Sequence, residues 1–414
     1  MAPRYVRLAK RLAKNTLLAF LYALFSILGL WGRLREGGGQ RLVPQEVKRI
    51  LVIRLDLLGD VLLSMPAVRA LRQSYPQASI DMLVLPYTAP LLAHYSYFDR
   101  IYTFDLNLLR PSGDMWNPAH YLALLRLLHD LRVRRYDLAV TLFGLWGSLI
   151  AFLSGARLRV GYRGEGFPLM HNLALPGRRY QERKHEVEYV LALARASGAR
   201  VEDSRLDLIP LPEAVAKVDR LLAEEGVLPE EGLVAIHPGA KNGSAKRWLP
   251  ERWGRLADRL ASEFGVRIVL TGTAAEEELV ARVVSAMRER AVVLAGRTSI
   301  PELVALLARC QLVLCGDSAP LHLAVALGVP VVAIHGPTDP LLSGPWGPKA
   351  TVVRRPLPCS PCYDLRDIAD CPRDRPVCME EITVQEVFEA AQRYLRGERE
   401  EVEGRRRWTR TCDQ

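Results

Sequence analysis

Residues 50–60 read Ile-Leu-Val-Ile-Arg-Leu-Asp-Leu-Leu-Gly-Asp, a β-branched apolar run over 50–55 that passes into a turn, with a helix-like segment over 61–75 behind it. An apolar strand with so little alternation is buried on both faces, the habit of a parallel sheet covered by helices. The same unit recurs along the chain. Residues 80–85, 101–104 and 138–142 are further strands, with a helix over 121–131. After a Pro-rich, charged passage at 210–229, strands are expected at 233–237, 266–271, 292–294, 312–315 and 329–334, separated by helices over 251–264, 276–290 and 300–309. The pattern predicts an α/β protein of two Rossmann-like doubly wound domains, 47–209 and 230–395, facing a cleft where ligands meet the carboxyl ends of the strands. Around them lie a basic, apolar segment (1–46), the linker 210–229 and a charged tail (396–414).

With 414 residues, 49% hydrophobic and 25% charged, the chain has material for two real cores. Its net charge of +10 is concentrated at one end, since residues 1–49 hold ten Lys or Arg against two Glu and the other 365 residues carry only +2. A near-neutral body without a zinc-finger repeat or aromatic RNA-binding signature argues against nucleic acid as a partner. Residues 16–32 form an uncharged run of 17, flanked by Arg4, Arg7, Lys10, Arg11 and Lys14 on one side and Arg33, Arg35 and Arg41 on the other. Such a run is at the lower limit for crossing a bilayer, and cations on both flanks suit a helix resting on an anionic inner leaflet, with a single span as the alternative. No small-residue cleavage site follows it. No cysteine precedes Cys310, which is no secreted disulfide framework and points to a reducing, cytoplasmic setting with the chain peripheral on the membrane.

Several strand ends carry polar residues. Asp60, after Gly59, projects from the carboxyl edge of the first strand as either a general base or a helix cap. The loop 237–248 (His-Pro-Gly-Ala-Lys-Asn-Gly-Ser-Ala-Lys-Arg-Trp) is rich in small residues and cations and precedes Pro250 at a helix start. It is either a diphosphate cradle or a solvated loop, and it lacks the P-loop spacing. Gly272 and Glu276 follow another strand; a carboxylate there either complements a helix dipole or accepts ribose hydroxyls. Asp317, Ser318 and His322 open a strand-to-helix turn, where a free helix amino terminus receives phosphate. The turns converge on a nucleoside-diphosphate ligand. No G-x-G-x-x-G follows a strand, which counts against a nicotinamide or flavin enzyme, and no Asp-x-Asp pair occurs to hold a metal-bound sugar nucleotide.

Taken in order, Leu55 to Asp60, the loop 237–248, Gly272 with Glu276, and Gly316-Asp317-Ser318 with His322 and Gly328 resemble glycosyltransferase family 9, the lipopolysaccharide heptosyltransferases, over about 48–395. Ala319 stands where that family commonly has Gly. The resemblance implies a glycosyltransferase-B fold, with the acceptor on the first half and the nucleotide-sugar, ADP-heptose, on the second. It implies Asp60 as catalytic base, Lys246 as diphosphate ligand, Glu276 as ribose ligand, and Asp317, Ser318, His322 and Gly272 at the donor site. It implies inverting transfer to a lipid-linked saccharide without a required cofactor, by base catalysis that is independent of metal. A sugar-nucleotide epimerase and a non-catalytic binding protein of the same fold are the alternatives; Asp60 and Lys246 together speak against binding alone.

Cys359, Cys362, Cys371 and Cys378 cluster within one loop-like stretch. Four such thiols fit a structural zinc site, reduced structural thiols or disulfides. The cations Arg157, Arg159, Arg163, Arg178, Arg179, Arg183 and Lys184 either meet phosphates on an acceptor or form a solvated face.

Overall fold

The structure is a computed structural model that describes residues 46–109, 117–167, 169–177, 182–241, 243–363, 371 and 373–397. The basic, apolar amino-terminal helix expected before residue 46, the tail from 398, and Arg178 and Arg179 lie outside the described residues. Among the described residues no helix is long and apolar enough to cross a membrane. The chain divides into two compact units, one of 1–57, 66–92 and 96–204, the other of 58–65, 93–95 and 205–414.

The first unit is built on six strands, β1 (Arg49–Arg54), β2 (Ser79–Val84), β3 (Arg100–Thr103), β4 (Leu138–Thr141), β5 (Leu158–Tyr162) and β6 (Leu173–Leu175), in the order β3-β2-β1-β4-β5-β6. Every neighbouring pair is parallel. Five of the six β1 residues are buried, as a strand covered on both faces demands. Strands β5 and β6 were not anticipated from sequence, because Arg159 interrupts the apolar pattern of the former. That arginine is buried and donates to the carbonyls of Met170 and Ala156, both at 2.7 Å, so it ties β5 to the turn before it and the loop after it and belongs to no solvated face. Arg54, also fully buried, is held by Glu186 at 2.8 Å and Asp56 at 3.3 Å. Glu186 opens the helix Glu186–Ala196, whose start is fixed by a capping box between His185 and Glu188.

The second unit repeats the plan with β7 (Leu233–His237), β8 (Arg267–Leu270), β9 (Val292–Val293), β10 (Cys310–Gly316), β11 (Val331–His335) and β12 (Ala350–Arg354), ordered β12-β11-β10-β7-β8-β9 and again parallel throughout. Counted from each unit's own first strand, the two sheets have the same 3-2-1-4-5-6 order, so the second unit's switch point lies between β7 and β10. The passage 210–229 contains the helix Pro212–Glu224, which buries Ala214, Val218 and Leu222 at a spacing of four. In the core of this unit, Trp248 and Trp253 meet edge to face at 4.9 Å between ring centres, and the Trp248 indole N–H donates to the Ile382 carbonyl at 3.0 Å. The short helix Leu58–Leu63 groups with this unit, while Pro66 takes the second position of the next helix, Met65–Ser74, where its missing N–H costs nothing.

Candidate functional site

At the carboxyl edge of the second sheet, four successive strands each deliver polar residues: Glu276 beyond β8, Lys246 beyond β7, Asp317 beyond β10, and His335 at the end of β11. Lys246 lies in a single 3-10 turn, Ser244–Lys246, that precedes the helix Pro250–Phe264. Its ammonium is mostly buried, donates to Asp317 Oδ2 at 3.0 Å and sits 4.3 Å from the centre of the Tyr363 ring. Burial alone would lower the Lys246 pKa, but the Asp317 carboxylate overcomes it and holds the group above its ordinary value. For Asp317, burial is the largest single effect and works upward, but the charge and hydrogen bond of Lys246 together with His335 and His322 outweigh it, leaving it at about 2. The pair is therefore a fixed cation and anion at neutral pH, with the cation aimed by its partner.

Two imidazoles flank that pair. His322, in the helix Ala319–Ala326, and His335 are both buried, and burial pushes both pKa values down, that of His335 to about 4. His335 Nδ1 shares a hydrogen bond with Thr338 Oγ1 at 3.3 Å. Among the described residues, His322 Nδ1 and His335 Nε2 have no hydrogen-bond partner. Ser318 occupies the cap position of the helix Ala319–Ala326 without its side chain closing the amino terminus, and its hydroxyl turns back to the Gly316 carbonyl at 3.4 Å.

Asp60 is the third residue of the helix Leu58–Leu63, in its first turn and not at its cap. The neighbouring residue explains the close packing: a Cβ on Gly59 would lie 2.7 Å from His322 Cδ2, a distance only glycine avoids. Asp60 is in turn near enough to act electrostatically on both Lys246 and His322, adding to the upward shift of Lys246 and partly opposing the downward push of burial on His322. The structure thus brings Asp60, Lys246, Asp317 and His322 together.

Glu276 forms a second group, one strand over. Its Oε2 accepts from the Thr273 N–H and hydroxyl, each at 2.9 Å, in a capping box, and lies 4.0 Å from His237 Nε2. Oε1 rests against Gly239, where a Cβ would come within 2.0 Å of it. Gly272 packs below, its Cα facing Val280, Ala295 and the Glu276 Cβ. Glu276 therefore serves its own turn and also presents a second carboxylate oxygen over the glycine.

Sequence reasoning did not find the parts played here by Tyr363, His335 and Gly239. Tyr363 comes from the cysteine-rich stretch, 117 positions from Lys246, and no local pattern joins them. Cys359, Cys362, Cys371 and Cys378 are free thiols around one cavity of about 170 Å³. Among the described residues no three His, Cys, Asp or Glu side chains already converge into a ligand set, so the expected zinc cluster is not formed as it stands.

With a fixed ammonium, an uncapped helix start and two carboxylates at one sheet edge, the arrangement can hold a nucleoside diphosphate and deprotonate a hydroxyl beside it. The family described as glycosyltransferase family 9 (heptosyltransferase) matches residues 124–372. Over 317 residues the chain is 31% identical to lipopolysaccharide heptosyltransferase 2 of Salmonella typhimurium, covering 74% of this chain and 88% of that protein. The solved E. coli ADP-heptose lipopolysaccharide heptosyltransferase II aligns at a TM-score of 0.67 and 26% identity, over 84% of this chain and 99% of that one. A glycosyl transferase family 9 structure from Veillonella parvula aligns at 0.71 and 22% identity, over 84% and 97%. The chain belongs to glycosyltransferase family 9 and is a glycosyltransferase.

Proposed function

We propose that this enzyme transfers heptose from ADP-heptose to a lipid-linked saccharide of the lipopolysaccharide core, with inversion at the anomeric carbon. The observation that carries the reading is the meeting of Asp60 with the Lys246–Asp317 pair at the switch point of the second sheet. Asp60 takes the acceptor hydroxyl proton as that oxygen attacks the anomeric carbon. The bond from that carbon to the diphosphate breaks, and the departing ADP keeps the electron pair. Lys246, aimed by Asp317, and the amino terminus of the helix Ala319–Ala326 meet its growing negative charge. Glu276 accepts the ribose hydroxyls through the oxygen that faces Gly239. These residues supply the charge that the step requires from the chain itself, so no cofactor is required. The second unit takes the donor and the first the acceptor. On sequence grounds alone, residues 4–41 hold the enzyme on the inner face of the membrane, where the lipid acceptor resides.

The test is turnover of ADP-heptose and UDP-sugars with a lipid acceptor extract, comparing wild type with Asp60→Asn. Loss of a general base is expected to lower kcat by about 10²- to 10⁴-fold, with ADP binding by calorimetry unchanged. Full turnover in Asp60→Asn refutes the base assignment, and ADP binding without any transfer by wild type favours a sugar-nucleotide-binding protein. Co-sedimentation with phosphatidylglycerol vesicles, lost on deleting residues 1–45, tests the membrane contact.

A further inference from the structure

We propose that the outward face of the helix Pro118–Val133, in the first unit, is a membrane-contact surface that lies in the headgroup region of an anionic phospholipid bilayer. The inference deepens the reading above: it rests on the acceptor being lipid-linked, and it adds a contact made by the folded body to the one expected of residues 4–41.

The helix has two apolar faces. The inward one is accounted for, since Leu127 and Leu131 are buried in the cluster that holds Leu51, Ile53 and Ile150, with Leu124 and Leu128 packed against it. Positions 122, 125, 129 and 133, at spacings of three and four, form a line on the opposite side. Three of the four are Leu122, Leu125 and Val133, exposed at 53%, 61% and 62%. A helix that meets only water on that side carries polar residues along the line, so an apolar row there marks an interaction surface.

What the face meets follows from its charge. Arg126 stands on one flank of the row and Arg132 on the other, both exposed, and Tyr121, 43% exposed, is one turn from Leu125. Residues 118–135 carry four Arg against a single acid, Asp130. Asp81 takes Arg134, while Arg126 and Arg135 have no acidic partner among the described residues. Leucines between arginines, with a tyrosine at the margin, make a helix that lies in an interface. Its apolar side chains enter the acyl boundary and its guanidinium groups meet lipid phosphates. A second copy of the chain would bring the same cations to the same face, and the apolar run 16–32 has cations on both its own flanks. Either occupant is repelled by the charge that draws an anionic leaflet.

The place in the fold suits the acceptor. Because it joins β3 to the parallel β4, the helix starts at the carboxyl edge of the first sheet, the edge at which parallel sheets meet ligands. Leu122 and Leu125 belong to its first two turns. A bilayer under this face brings the acceptor's sugars to that edge while its lipid stays in the membrane.

The experiment uses the full-length chain carrying Leu125→p-benzoylphenylalanine, irradiated with vesicles of phosphatidylglycerol and phosphatidylethanolamine and read by mass spectrometry. A phospholipid adduct at position 125 is expected, and none from Val284→p-benzoylphenylalanine, at an exposed apolar position of the second unit. In co-flotation at limiting lipid, Leu122→Gln combined with Leu125→Gln should partition about tenfold more weakly than wild type. Arg126→Gln should lose about fivefold, the weight of one cation near an anionic leaflet, and nothing on phosphatidylcholine vesicles. An adduct joining position 125 to residues 16–32 or to a second chain overturns the proposal by identifying another occupant. Absence of any adduct, or wild-type partitioning by the double variant, overturns it as well, and leaves the amino-terminal contact standing. Turnover with a deacylated, soluble acceptor should be equal in wild type and the double variant. If wild type fails to use that acceptor, the transfer reading falls on its own, and the adduct still decides the surface.

Discussion

Mild acid should weaken the second unit through His335. The side chain is fully buried at the end of β11, and burial moves its pKa from 6.5 to about 4, against the pull of Asp317. Below pH 6.5 the unfolded imidazole takes up a proton that the folded one refuses, so the unfolded state binds more protons and stability falls as the pH falls. The loss stops growing near pH 4, where the folded imidazole is protonated too. With these values the fold loses about 2 kcal/mol between pH 7 and pH 5, and about 3 kcal/mol by pH 4, through this one residue. His322 and His237, also depressed by burial, act in the same direction. Asp317 does not confuse the window, because its depressed pKa puts its own loss between about pH 4 and pH 2. The informative variant is His335→Asn, whose short amide can still meet Thr338. Its smaller volume costs a packing energy of about 1 kcal/mol, the same at every pH. Thermal melts followed by tryptophan fluorescence, with Trp248 and Trp253 reporting on the unit's core, should show wild type losing about 4–8 °C more than the variant between pH 7 and pH 5. Parallel curves for the two proteins would refute the claim that His335 is held neutral by burial.

Gly59→Ala should push the Asp60 helix away from His322 by about 0.7 Å, the shortfall between the 2.7 Å contact and ordinary van der Waals distance. Turnover should drop by about 10- to 100-fold with donor binding largely kept, and an unchanged kcat would show that the contact does not position Asp60. Gly239→Ala puts a methyl on the free oxygen of Glu276; ADP affinity measured by calorimetry should fall at least tenfold, and an equal affinity would remove Glu276 from the ribose. In the first unit, Glu186→Leu leaves Arg54 buried without its Glu186 partner at 2.8 Å, a loss of about 3–5 kcal/mol that urea denaturation would read as a lower midpoint.

The sequence alone carried the architecture because it is written in short-range pattern. Apolar runs such as 50–55 and 233–237 declare strands buried on both faces, and the polar residues that follow them declare which sheet edge carries chemistry. Asp60, Lys246, Glu276 and Asp317 were candidates for that reason, each standing past a strand end, and the family resemblance supplied the roles expected of them. Strands β5, β6 and β12 were not legible, since a buried arginine breaks the run in the first, the second has only three residues, and the third is only half-buried along its length. Nor did the pattern reveal that the Asp60 helix packs on His322, that Asp317 aims Lys246, or that a tyrosine from the cysteine-rich stretch backs the same cation. Those contacts join residues 71 to 263 positions apart, and their energies come from desolvation and Coulomb attraction, which depend on what surrounds a group and not on its neighbours in the chain. Period and turn chemistry in the sequence determine which residues reach the sheet edge; only the folded packing decides which of them meet, and in which charge state.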